Sequence, residues 1–147
     1  MKRFLVQILR GFKNPILIFF CLNALCYLTL FRVLIVAFPF RFWGYRCGIP
    51  YAETLRTPIR PARLPFIISA VYFVSRYVPW TSLCLDRALS AAFMLKRYGV
   101  SSTLYIGIAK ENESWKSHAW LRVGDKMVMG YSDTQPFSAV KTIACIA

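Results

Sequence analysis

The sequence predicts an α+β domain in which one amphipathic helix packs on a small antiparallel sheet, preceded by apolar amino-terminal helices. Three observations carry this. Leu83, Leu85, Ala88, Leu89, Ala92, Phe93 and Leu95 recur at spacings of three and four, and Lys96, Arg97 and Gly99 suit the end of such a helix. Leu104, Ile106 and Ile108 then alternate with Tyr105, Gly107 and Ala109, a strand pattern over 101–109. After a polar loop at 110–117, residues 118–123 and 126–131 read as two strands joined at Gly124-Asp125, a two-residue turn with Gly at its first central position. A helix followed by a strand hairpin is α+β and not a parallel βαβ arrangement.

Composition bounds the rest. A chain of 147 residues is one domain by length, with room for an appended segment. Hydrophobic residues make up 57% of it and charged residues only 17%, so some apolar surface should meet lipid or a partner. The net charge of +13 is skewed: residues 1–80 hold eleven Lys and Arg against Glu53 alone, and the remainder holds eight against five acids. Such a skew suits an anionic membrane surface or an acidic peptide. The charges flank apolar runs and do not form a polar basic stripe, which argues against nucleic acid. Five cysteines, with no CxxC pair and one histidine, fit neither a zinc site nor a disulfide framework. A reducing compartment follows, with no cofactor or metal expected.

The first forty residues stand apart from the rest. Residues 1–13 mix Lys2, Arg3, Arg10 and Lys13 with Phe4, Leu5, Ile8, Leu9 and Phe12, a basic amphipathic pattern suited to a membrane surface. Residues 15–38 follow as an apolar run whose only charge is Arg32, long enough to cross a bilayer. Asn23, Thr29 and Arg32 interrupt it, so a spanning helix and a helix packed on the domain or lying in the interface both stay open. The division is therefore 1–40, an apolar basic helical segment, and 41–147, the folded domain. The location expected is cytoplasmic, with the inner face of the cell membrane as the surface the segment would meet. Residues 39–65 hold five of the eight prolines and read as a linker or wrapped loop. Residues 66–78 read as a helix that Pro79 stops.

The chemistry lies between residues 82 and 123. Thr81 or Ser82 as N-cap puts Cys84 in the first turn of its helix, where unpaired N–H groups and the positive dipole end favour a thiolate. A thiolate that cleaves an amide also needs a proton shuttle, and His118 is the chain's only histidine. Taken on the helix alone, a small cysteine at the start of an apolar helix fits packing better than catalysis.

The order of the pieces weighs on that choice. "CLDRALSAAFMLKRYGV", "LYIGIA" and "SHAWLRVGDKMVMGYSD" together resemble the transglutaminase-like cysteine peptidases of lasso-peptide biosynthesis, the B-type proteins, over about residues 79–133. Val78-Pro79-Trp80 and the apolar segment ending Phe38-Pro39-Phe40-Arg41 are similar to their short, stand-alone members, which lack a leader-binding domain. The resemblance implies a transglutaminase-like, papain-like core and a Cys-His-Asp peptidase that removes the leader from a ribosomally made precursor. It also implies two protein partners: a separate leader-recognition protein and an asparagine-synthetase-like cyclase that closes the ring. Cys84 would be the nucleophile and His118 the general base and acid. Arg122 stands where the family commonly has Glu, a change expected to bear on surface charge. The family's acid column falls near Gly130, and the nearest acid is Asp133.

Hairpin geometry selects among the acids. With Gly124-Asp125 as the turn, Val123 faces Lys126 and His118 faces Tyr131, so Asp133 is a diagonal neighbour of His118 at roughly 7–8 Å between backbone positions. Asp125 lies roughly 23 Å away along the strand at about 3.3 Å per residue, which excludes it. Asp133 is thus the expected third residue, holding the imidazole tautomer. The Cys84 N–H is a candidate oxyanion donor, and Trp80 is either a second one or a packing residue. Two alternatives stay open: a membrane-anchored, non-catalytic binding protein with the same fold, and an enzyme that transfers the acyl group to an amine instead of water.

Overall fold

The computed structural model describes residues 15–111, 114–130 and 137–147. It is a mixed structure of helices and one antiparallel sheet, as the sequence predicts. The first helix, α1 (Pro15–Ala37), ends just ahead of Phe38, which precedes Pro39 and is therefore disfavoured from helical geometry. A short helix α2 (Phe40–Trp43), a 3-10 turn (Gly44–Cys47) and the two-residue strand β1 (Ile49–Pro50) follow. Next come α3 (Leu64–Val74), α4 (Cys84–Arg97), β2 (Ser102–Glu111), β3 (Ser114–Val123), β4 (Lys126–Met129) and β5 (Ser138–Cys145).

The element boundaries differ from expectation for identifiable reasons. The α3 helix stops at Val74, four residues before the limit expected from Pro79. The Ser75, Tyr77 and Val78 N–H groups fold back onto the Val71 and Val74 carbonyls in a tightened last turn. At the other end of the next helix, the Gly99 N–H bonds the Lys96 carbonyl and the Val100 N–H bonds the Leu95 carbonyl, the paired bonds of a Schellman ending. The polar stretch expected as a loop instead continues the hairpin, with β2 and β3 paired as far as Glu111 and Ser114.

The strand order is β1-β5-β2-β3-β4, with antiparallel neighbours throughout. The carboxy-terminal stretch, read from sequence only as a short apolar tail, forms β5 in the interior of the sheet. It pairs with β2 on one side and β1 on the other. Gly124 opens the β3–β4 turn with φ +59°, the conformation expected of the first central residue. Val123 faces Lys126 as expected, but the pairing slips by one residue between Arg122 and Leu121, so Leu121 faces Met129. The expected His118–Tyr131 pair assumes an unbroken register, and Tyr131 lies outside the described residues.

Alternation along the strands gives the sheet two unlike faces. Leu104, Ala119, Leu121, Val123 and Ile143 join the core with α4, which packs across β2 and β3. The α1 helix lies over α3 and α4 and buries Phe20, Ala24, Leu28 and Phe31. Phe20 stacks on Phe66 at 6.1 Å and Phe31 meets Phe93 edge-on at 4.9 Å. Thr103, Tyr105, Trp120 and Arg122 alternate to the other face, where the segment after β1 crosses them.

Arg122 holds that segment down and is a buried anchor, not the surface charge expected of it. Its side chain is 1% exposed. The guanidinium donates to the Tyr105 hydroxyl at 2.9 Å, the Thr54 carbonyl at 2.9 Å, Thr103 Oγ1 at 3.1 Å and the Gly124 carbonyl, and it pairs with Glu53 at 3.1 Å. A buried cation is tolerated because nearly every donor has an acceptor. Arg122→Ala should lower the unfolding free energy by about 3–5 kcal/mol in denaturant titration, since it strands these acceptors. Arg122→Lys should recover only part of this, because an ammonium cannot reproduce the planar fork.

Candidate active site

Cys84 is the first residue of α4, as its expected placement in the first turn requires. The capping arrangement differs. Leu83, in extended conformation, is the N-cap, and its N–H donates to Asp86 Oδ2 at 3.1 Å. Ser82, one of the two expected caps, instead accepts from Arg87, whose guanidinium reaches Ser82 Oγ at 3.4 Å and the Ser82 carbonyl at 2.6 Å. The sulfur of Cys84 is half-buried against the core. It sits where the first N–H groups of a helix lack intrahelical acceptors, an electrostatic setting that favours an anion.

Asp86 was not singled out from sequence, although an acid three residues after the N-cap is a helix-start signal. It is fully buried in the same turn as Cys84, and its Oδ1 has no hydrogen-bond partner among the described residues. Burial pushes its carboxyl above the usual range, against the opposing pull of the Leu83 N–H and of Arg32. Arg32 Nη1, reaching across from α1, lies 3.8 Å from Asp86 Oδ2. The one charge in the apolar helix is therefore paired with the carboxylate two residues from Cys84. Without it that carboxylate would oppose a thiolate two residues away.

His118 occupies β3 directly opposite Gly107 of β2. Its neighbour Ala119 points into the core beneath α4, so the imidazole belongs to the face of Trp120 and Arg122. There it lies 6.3 Å from the Trp120 ring and 5.1 Å from the Phe137 ring, and Trp120 stacks on Tyr105 at 5.6 Å. No hydrogen bond joins Cys84 and His118 among the described residues. Both lie well away from the connection between α4 and β2, with His118 midway along β3 on the sheet face opposite α4. The four-residue connection 98–101 turns α4 back along β2, so the helix start lies about 21 Å from its end at about 1.5 Å per residue. Gly107, beside His118, lies about 17 Å along β2 from Ser102 at about 3.3 Å per residue.

The imidazole already has a partner. His118 Nε2 is hydrogen-bonded to the Gly130 carbonyl oxygen, which can only accept, so Nε2 is the donor and in the neutral ring Nδ1 is the nitrogen with the lone pair. The acceptor at this contact is a backbone oxygen and not a carboxylate. The geometry needs glycine: Gly130 has φ +76°, and a Cβ would run into the Ala119 carbonyl oxygen. Its N–H donates to the Tyr72 hydroxyl of α3 at 3.2 Å. Asp133, the expected third residue, lies outside the described residues, and Asp125 is in the exposed turn at the far end of β3.

Trp80 is partly buried, and its indole Nε1 is enclosed with no acceptor among the described residues. Four residues before Cys84, it is a donor without a partner. Among the described residues no cluster of His, Cys, Asp and Glu could hold a metal ion. Burial, helped by the neighbouring Cys145 and opposed by Lys141, pushes the Cys47 thiol up to about 12, and burial raises Cys145 to about 11, so neither can supply a thiolate near neutral pH.

The family model described as the transglutaminase-like superfamily matches residues 33–142, about three quarters of the chain. The matched stretch starts inside α1 and includes Cys84, His118 and Gly130. No curated protein and no solved structure matches the chain.

The single histidine makes its tautomer directly measurable. Nitrogen NMR of protein labelled in histidine should show the neutral ring with Nε2 protonated and Nδ1 bare, both in the wild type and in Asp133→Asn. Gly130→Ala should lose that tautomer and cost about 1–2 kcal/mol of stability through its left-handed backbone. An Nδ1–H signal in the wild type would contradict the assignment.

Proposed function

We propose that this chain, which belongs to the transglutaminase-like superfamily, is a cysteine peptidase that removes the leader from a ribosomally synthesised lasso-peptide precursor. The superfamily generally comprises cysteine peptidases and acyltransferases, and the choice within it rests on residues. The observation that carries the reading is Cys84 as the first residue of α4, inside the family match that also contains the only histidine. The match of motifs to the lasso-peptide B-type proteins selects the substrate class.

In this reading Cys84 Sγ attacks the carbonyl carbon of the scissile amide while its proton passes to His118 Nδ1, the nitrogen that the Gly130 bond leaves free. The negative oxygen that develops is met by the Cys84 N–H at the start of α4. The carbon–nitrogen bond then breaks. His118 returns the proton to the leaving amine of the core peptide, and the leader remains as a thioester on Cys84. Water, deprotonated by His118, releases it. The Gly130 carbonyl holds the neutral ring, and Asp133 stabilises the charged ring once the proton has moved. A leader-recognition partner presents the precursor and raises its effective concentration at Cys84, and the cyclase closes the ring afterwards.

Mass spectrometry of a matched precursor, incubated with this protein with and without the recognition partner, tests the reading. Leader release should require the partner and should vanish in Cys84→Ala and in His118→Ala, because nucleophile and base act as a unit. Asp133→Asn should lower turnover well below that of Asp125→Asn. Leader release by Cys84→Ala at the wild-type rate would refute the peptidase. A leader mass increased by an added amine would instead identify an acyltransferase.

A further inference from the structure

The α1 helix is the longest apolar element and is long enough to cross a bilayer, yet only one side of it is engaged. Phe20, Ala24, Leu28 and Phe31 are held against α3 and α4 over eleven residues, about 17 Å of helix, and Arg32 is tied to Asp86 beside them. On the opposite side Ile16, Phe19, Leu22, Leu30, Val33 and Val36 stand 49–70% exposed. A spanning orientation would draw α3 and α4, with Asp86, Arg87, Lys96 and Arg97, into the hydrocarbon alongside it, or peel the inner face from its core.

We infer that the outer face of α1, continued across α3, is a docking plane by which the folded domain lies on an anionic lipid surface, with α1 in the interface and not across the bilayer. Four observations identify lipid as the occupant. The polar groups on α1 are turned back onto its own backbone: Asn23 Nδ2 donates to the Phe19 carbonyl at 2.8 Å, and Thr29 Oγ1 to the Leu25 carbonyl at 2.8 Å. Each thereby commits a side-chain donor to the helix itself, and the exposed side chains around them on this face are apolar. The plane is open to irregular apolar matter, because Leu25 and the α3 end (Phe73, Val74, Tyr77, Val78, Pro79) line an apolar cleft of about 320 Å³. At the carboxy end of α1 the exposed rings of Phe42 and Tyr45 carry Arg41 and Arg46 at 4.7 Å and 5.9 Å, aromatic and cationic groups together as at a headgroup layer. The charge also agrees: residues 1–80 carry eleven Lys and Arg and one acid, the sign that anionic headgroups attract. This inference does not depend on the peptidase reading, since neither Cys84 nor His118 takes part.

The test uses the full chain and vesicles of phosphatidylcholine with and without phosphatidylglycerol. Sedimentation should show binding that phosphatidylglycerol strengthens and salt weakens. The Leu22→Glu, Val33→Glu double variant should lose at least about tenfold in affinity, because two exposed side chains no longer enter the apolar layer; circular dichroism checks that it stays folded. Orientation is read with nitroxides at positions 19, 26 and 33 (Phe19→Cys, the exposed native Cys26, Val33→Cys), placed one at a time with the other reactive cysteines changed to Ser. These positions are seven residues apart and share the outer face, so an interfacial helix puts all three at one shallow depth. Depths that change by about 20 Å from position 19 to 33 would show a spanning helix and overturn the inference. Absence of vesicle binding would overturn it as well, whether the protein is then a monomer or a dimer that the double variant dissociates.

Discussion

The constraint on which the structure rests is the pairing of β2 with β3, in register from Thr103–Arg122 to Glu111–Ser114. Because side chains alternate, this single register decides which residues meet the helices and which do not. Leu104, Ala119 and Leu121 are delivered to α4, while Tyr105, Trp120, Arg122 and His118 are delivered to the other side. A slip of one residue would bury His118 and Arg122 under the helix and expose the core. The site and the fold are thus specified by the same ladder. The bulge between Leu121 and Arg122 shows how locally that specification is drawn, since it alters the β4 pairing while leaving β2–β3 untouched.

The position of Cys84 depends on a second layer. Asp86 closes the turn that presents Cys84, and its charge is offset by a side chain from α1. The apolar amino-terminal helix is therefore part of the electrostatics at the start of α4, in addition to supplying Phe20 and Phe31 to the core. On the opposite face the Arg122 cluster does comparable work: it anchors Glu53 and Thr54, so the chain between β1 and α3 covers the face that carries Trp120 and His118. Glu53, drawn below the usual carboxylate range chiefly by Arg56 and also by Arg122, keeps that anchor charged.

Much of this was legible because it is periodic. The three-and-four spacing from Leu83 to Leu95 located α4 and put Cys84 in its first turn, and the alternation from Leu104 to Ile108 located β2. The Gly124-Asp125 turn located the hairpin. What escaped depends on contacts distant in sequence or on backbone shape. The β5 strand has a weak alternation, Ser138 to Cys145, and becomes a strand because two edges wait for it. Arg122 shares a face with Trp120 by simple parity, but its burial requires Glu53, 69 residues away. The cap at Leu83 is set by its extended backbone and by Asp86, so the hydroxyls of Thr81 and Ser82 pointed one position too early. The contact of His118 with Gly130 involves a carbonyl, which no side-chain pattern records.

The placement of β5 has a consequence for the order in which the chain can be built. A ribosome delivers β1 and β2 well before β5, yet β5 alone joins them, pairing Ile49 with Ala144 and Thr103 also with Ala144. During synthesis β2 can zip onto β3 while its other edge stays bare, and unpaired edges of this kind recruit foreign strands. The gap closes only when a segment made nearly a hundred residues after β1 arrives, a contact whose long loop makes it slow to form. Until then the nascent hairpin is a half-finished sheet with an adhesive margin, and the interval between making β2 and making β5 is when the newborn chain most needs protection from its neighbours.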